Sequence, residues 1–372
     1  MLTLLRNELS LIFAAFTVLS LNLLGPDWGS DFDDPVVFTL KFFWLFGAMV
    51  WGAFAAVRHA DSLAEIFGEP YGTLILTISV ISIEISVIAA VMFAGDAEPT
   101  LPRDTMLAIL MIVLNLMVGI SLLIGGVRYR EQSYSLEGAR TYLAVIITLS
   151  TMTLIVPRYT ISTSDPTLTT AQAIAFSIVT LILYGTFLAM QTVRHQNYFK
   201  QPKRNDSLLI PEYGKYPEGI DTKTVPYHAG TLIFVLLMIV LMSKEFGPLI
   251  DDATVTLGAP SALGGIVIAV LVLAPEGLAA FKAAASNHLQ RAVNICMGSA
   301  LATISLTVPA VVAVSFITGT NLILGLAPVE LILLGLSLVL CMMTFGGTRT
   351  NMLQGAVHLV VFVVFIVLIF DP

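Results

Sequence analysis

The chain has 372 residues, of which 57% are hydrophobic and only 12% charged, and its mean hydropathy is +0.90. A water-soluble fold of this length does not carry so apolar a composition, so the chain reads as an all-α, polytopic membrane protein. The formal net charge of −7 comes without a basic patch for nucleic acid. The sequence also lacks a GxxxxGK[ST] phosphate loop and any soluble segment large enough for a nucleotide domain, which argues against an ATP-driven pump.

Apolar runs of about 18 to 25 residues predict eleven membrane-crossing helices. Their approximate spans are 7–24, 36–57, 71–95, 105–126, 140–158, 170–194, 228–250, 261–283, 290–318, 327–345 and 352–370. The first run lacks a small-x-small cleavage site and is expected to stay as a helix. Residues 1–35 thus hold an extra helix and an acidic outer loop with Asp27, Asp31, Asp33 and Asp34. That loop lacks the spacing of an EF-hand and is expected to be solvated. The one long polar interruption, 196–226, divides a first set of five helices (36–195) from a second (227–372).

With eleven spans, all Lys and Arg except Lys41, Arg103, Arg158 and Lys244 fall on the side of the N-terminus. The positive-inside rule then puts the N-terminus in the cytoplasm and the C-terminus outside, in a bacterial inner membrane. Of the 25 Asp and Glu, two remain at bilayer depth, Glu84 and Glu276. Such a position is costly for a carboxylate and marks a functional site by default. The alternative is a pair of protonated carboxyls that join neighbouring helices.

The surroundings of the two acids match. GTLILTISVISI precedes Glu84 and GGIVIAVLVLAP precedes Glu276, and each acid lies in the second helix of its set of five. Because five is odd, the two sets enter the membrane from opposite sides, the inverted-repeat plan of secondary transporters. At 100° per residue Thr73 and Thr77 share a face with Glu84, and Ser79, Ser82 and Ser86 face away. On the helix after Glu276, Ser299 and Thr303 share a face, with Thr307 at its edge and Asn294 and Ser305 elsewhere. Laying MIVLNLMVGISL on ICMGSALATISL makes Asn115 the first-half counterpart. Thr77, Asn115, Ser299 and Thr303 are therefore expected as supporting ligands.

Pro275, beside Gly277, cannot donate to the Leu271 carbonyl, and Pro309 cannot donate to that of Ser305. These three residues are expected helix breaks, and the freed oxygens either serve a cation or accompany a plain kink. Oxygen ligands alone suit a hard cation such as calcium or sodium, with Glu84 and Glu276 as the metal-binding acids. The five histidines, most of them at helix ends or in loops, do not read as a metal set, and Cys296 and Cys341 read as apolar filler.

The stretches GEPYGTLILTISVISIE (68–84), RDTMLAILMIVLNLMVGISLLIGG (103–126) and APEGLAAFKAAASNHLQRAVNICMGSALATISLTVPAV (274–311) resemble the ChaA-type bacterial calcium/proton antiporters of the calcium/cation antiporter superfamily. The resemblance implies a sodium/calcium exchanger-like fold of two inverted five-helix repeats, with one acid from each in a central site, here Glu84 and Glu276. It implies no enzyme activity and no cofactor, calcium and protons being cargo, and membrane lipid rather than nucleotide or nucleic acid as surroundings. Many superfamily members carry an Asn beside the acid, whereas Pro275 and Gly277 flank Glu276, and Ile83 and Ile85 flank Glu84. Exchange of sodium or potassium for protons therefore stands beside calcium as a reading, and a cation channel stands behind both.

Overall fold

The computed structural model describes residues 8–25, 28, 34–68, 71–93, 99–163, 165–202, 224–256, 258–260 and 262–371. Most of the acidic loop, Asp27, Asp31 and Asp33 included, and residues 203–223 of the connecting loop lie outside these. Eleven helices are described: α1 Leu9–Leu24, α2 Pro35–Phe67, α3 Tyr71–Phe93, α4 Leu101–Tyr129, α5 Leu136–Tyr159, α6 Thr170–Arg194, α7 Val225–Thr256, α8 Ala262–Ala285, α9 Leu289–Thr318, α10 Pro328–Thr344 and α11 Met352–Phe370. Nine of them are long and apolar enough to cross a membrane. The exceptions are α1 and α10, with 16 and 17 residues. Both are apolar and shorter than the other nine.

Local chemistry sets the helix ends. Asp34 accepts from the amides of Val36 and Val37 ahead of Pro35, so α2 starts on a capped, proline-led turn. Thr169 with Gln172, and Asn351 with Gln354, form capping boxes at α6 and α11. Gly319, at φ 70°, ends α9 in the left-handed conformation.

Packing pairs the halves crosswise. The first helices of the two sets, α2 and α7, lie together; α3 packs on α9, and α8 on α4. The third helix of each set also packs on the fifth of the other, α4 on α11 and α9 on α6. The links follow the same rule. A short antiparallel ribbon pairs β1 (Glu131–Ser133), after α4, with β2 (Arg349–Asn351), before α11. A single bridge pairs Thr167, before α6, with Ile323, after α9. Exchanging the two sets maps each contact onto the other, as two inverted five-helix repeats require.

Three helices contain π-helical turns, Ile112–Met117 in α4, Thr151–Ile155 in α5 and Met190–Arg194 in α6. The expected breaks at Pro275 and Pro309 are not seen, since α8 and α9 run through them as single helices. Proline deletes one bond of the ladder, and the flanking bonds carry the helix across.

Close approach of α4 to its neighbours depends on glycine. A Cβ on Gly265 would lie 2.8 Å from the Thr105 amide nitrogen, and one on Gly355 2.6 Å from that of Leu123. Gly265→Ala and Gly355→Ala should each cost about 1–3 kcal/mol, read as a lower Tm in detergent, because backbone must move. Gly47→Ala, where a Cβ meets nothing within 4 Å, should leave Tm unchanged.

Candidate functional site

Glu84 is 1% exposed on α3. Both its carboxylate oxygens are held by α9: Thr303 donates to Oε2 at 2.8 Å and Thr307 to Oε1 at 2.6 Å. Glu276, on α8, accepts from Ser299 of the same α9 at 2.5 Å. The spacing 299, 303, 307 places three hydroxyls on one helical stripe, and α9 lies between the two acid-bearing helices. An acid from each set of five is thus held by a single helix of the second set.

The two acids differ in access. Glu276 is only partly buried. Asp61, exposed near the C-terminal end of α2, lies within electrostatic reach of it. Among the described residues no three His, Cys, Asp or Glu side chains converge to hold a metal. A cation between these acids would need hydroxyl, carbonyl or water oxygens to complete its shell.

Of the four expected supporting residues, the structure brings Ser299 and Thr303 to the acids. Thr77 instead shares a hydrogen bond with Tyr184 of α6. Asn115 is fully buried but faces away, donating to Ser337 of α10 at 2.8 Å with His358 of α11 at 3.4 Å. Its position inside the π-helical turn explains the difference, since a wider turn rotates the residues out of α-helical register. Thr307 is absent from the expected ligand set, and its signal in the sequence is the i, i+4, i+8 series from Ser299. Ser79, Ser82 and Ser86 bond back to carbonyls of their own helix. Asn294 donates to the Phe199 carbonyl, and Ser305 to that of Leu301. Cys296 and Cys341 are buried free thiols.

A buried and a partly buried carboxylate, brought by crossed helix pairs onto one hydroxyl stripe, fit the architecture of a secondary cation transporter. Residues 37–193 and 227–370 match the model of the family described as sodium/calcium exchanger protein. The chain is 40% identical over 366 residues to the sodium-potassium/proton antiporter ChaA of Escherichia coli (strain K12), covering 98% of this chain and 97% of that one. It is 26% identical over 262 residues to a Ca(2+)/H(+) antiporter of Aphanothece halophytica, covering 67% and 68%. Among solved structures, native YfkE superposes with a TM-score of 0.70 at 18% identity, over 89% of this chain and 92% of that one. The H+/Ca2+ exchanger CAX superposes with a TM-score of 0.67 at 11% identity, over 97% and 88%. The chain belongs to the sodium/calcium exchanger protein family. Within it, the chain is a ChaA-type member of the calcium/cation antiporter superfamily.

Removing one clamp tests the geometry. Thr307→Val keeps the volume but leaves Glu84 Oε1 without its donor, which should cost about 1–3 kcal/mol and lower Tm in detergent. A Thr307→Ser variant, which keeps the hydroxyl, should recover most of the loss.

Proposed function

We propose that the chain exchanges calcium for protons by alternating access, with Glu84 and Glu276 shared between the cation and the protons. The observation that carries this reading is the holding of Glu84 by the second half of the molecule, through Thr303 and Thr307. A shift of α9 against α3 and α8 would change the surroundings of both acids together. One calcium and two protons neutralise two carboxylates equally, and the empty, doubly charged site is the state least able to cross. Exchange follows from that competition. Ser299, Thr303 and Thr307 would lend hydroxyl oxygens, and Pro275 and Pro309 leave the Leu271 and Ser305 carbonyls without helical donors.

Sodium or potassium in place of calcium is the second reading, favoured by the 40% identity to a sodium-potassium/proton antiporter. Both cargoes use the same two acids. The repeat boundaries 36–195 and 227–372, joined by 196–226, are supported by the crosswise packing and by the two matched segments. The distribution of Lys and Arg supports a bacterial inner membrane with the N-terminus cytoplasmic. On that orientation Asp61, within electrostatic reach of Glu276, lies toward the cytoplasmic end of α2.

Everted vesicles carrying an imposed proton gradient test the proposal. Calcium should collapse the gradient and enter the vesicles, and both effects should vanish in Glu84→Gln and Glu276→Gln. Collapse by sodium or potassium alone would change the cargo and keep the site; current without obligatory exchange would indicate a channel.

A further inference from the structure

Away from the two acids, the structure gathers a second titratable cluster at the end of the bundle where α1 and α7 begin and α2 draws to its close. His59 of α2 is 1% exposed. Its Nδ1 lies 2.9 Å from Nδ1 of His228 on α7. Its Nε2 lies 3.3 Å from Glu8 Oε2, at the start of α1, and 3.4 Å from Arg58 Nη2. Arg58 donates to Glu8 Oε2 at 3.1 Å, and the Tyr227 hydroxyl to Glu8 Oε1 at 2.7 Å. The extra helix and the first helix of each repeat are thereby joined through one pair of imidazoles. His228 is half-buried and open to water.

Two ring nitrogens 2.9 Å apart hold a hydrogen bond only if one carries the proton and the other presents a lone pair. The pair is satisfied when both rings are neutral, or when one is charged. Two imidazolium rings would turn N–H against N–H, with centroids 5.2 Å apart and the Arg58 charge alongside. Among the described residues Glu8 is the one anion within reach of His59 against those three positive charges, and the Tyr227 hydroxyl donates to it.

We propose that His59 and His228 form a proton-binding site separate from the transport acids, which fastens α7 to α2 and opens when both rings are charged. The far end of the same helix pair is tied by an ion pair between Lys41 and Glu245 at 3.3 Å. Lys41 and His59 are roughly 27 Å apart along α2 at about 1.5 Å per residue. Release at the histidine end therefore leaves α2 and α7 hinged at the other. Each runs on into an acid-bearing helix, α2 into α3 with Glu84 and α7 into α8 with Glu276. The second proton binds only the unfastened arrangement and so shifts the population toward it. The pH on this face of the membrane then sets the exchange rate without any proton being transported through the cluster.

The test uses full-length protein in nanodiscs with 15N-labelled histidine, and the chain has only five histidines. His59 and His228 should titrate as a coupled pair, and His228→Asn, which can still donate or accept, should leave the remaining ring with a single step. Independent titration of the two rings, or no response of either between about pH 5 and 8, overturns the proposal. The second readout rests on the antiport reading. At constant proton gradient, the cation exchange rate should change as this face is acidified, and His59→Asn and His228→Asn should lose that limb while keeping the alkaline rate. An unchanged profile in both variants, or a uniform fall at every pH, also overturns it. Absence of exchange in the wild type counts against the antiport reading and leaves the titration to decide.

Discussion

A carboxylate at bilayer depth has no water to solvate it, and the rest of the arrangement follows from meeting that need with protein donors. Here the donors come from one stripe of one helix. Ser299, Thr303 and Thr307 reach two acids on two different helices. That requires α9 to lie between α3 and α8, and the crosswise packing of the halves puts it there. The close passages at Gly265 and Gly355 hold α4 against its neighbours in the same scheme.

The site is less symmetric than the fold. By repeat logic α4 corresponds to α9, yet α4 offers neither acid a hydroxyl stripe. In the corresponding stretch Asn115 sits in a π-helical turn and joins Ser337 and His358 in a buried network. Two copies of one plan have thus taken different parts, α9 holding the acids and α4 filling the centre of the apolar core. The unbroken passage of α8 and α9 through Pro275 and Pro309 belongs with this division. A continuous helix moves as one piece, so a displacement felt at Ser299 is felt at Thr307.

The polar ties between α2 and α7 stand at the two ends of that helix pair. Lys41 with Glu245 holds one end and His59 with His228 the other. Between them the contact is apolar, with Leu45, Met49 and Ala53 facing Ile239, Met242 and Phe246 in one buried cluster. Apolar side chains set no preferred register by charge, so the terminal ties fix how the two helices sit. Changing the charge of one tie is then a direct way to alter the relation of the halves.

Much of this protein was legible from hydropathy and charge. Membrane residence, the helices to within a few residues at most ends, and the isolation of Glu84 and Glu276 follow from local properties, since each helix in lipid must satisfy its own backbone and stay apolar. The face shared by Ser299 and Thr303 also follows from helical period alone. Tertiary structure decided the partners. Thr77 turned to Tyr184, Asn115 rotated out of register, and Thr307, at the edge of a stripe, became half of a clamp. His59 and His228, far apart in sequence, meet because inverted halves bring the last turns of one helix beside the first turn of another. Periodicity gives the direction of a side chain relative to its own helix, and only the packing of helices gives what stands opposite.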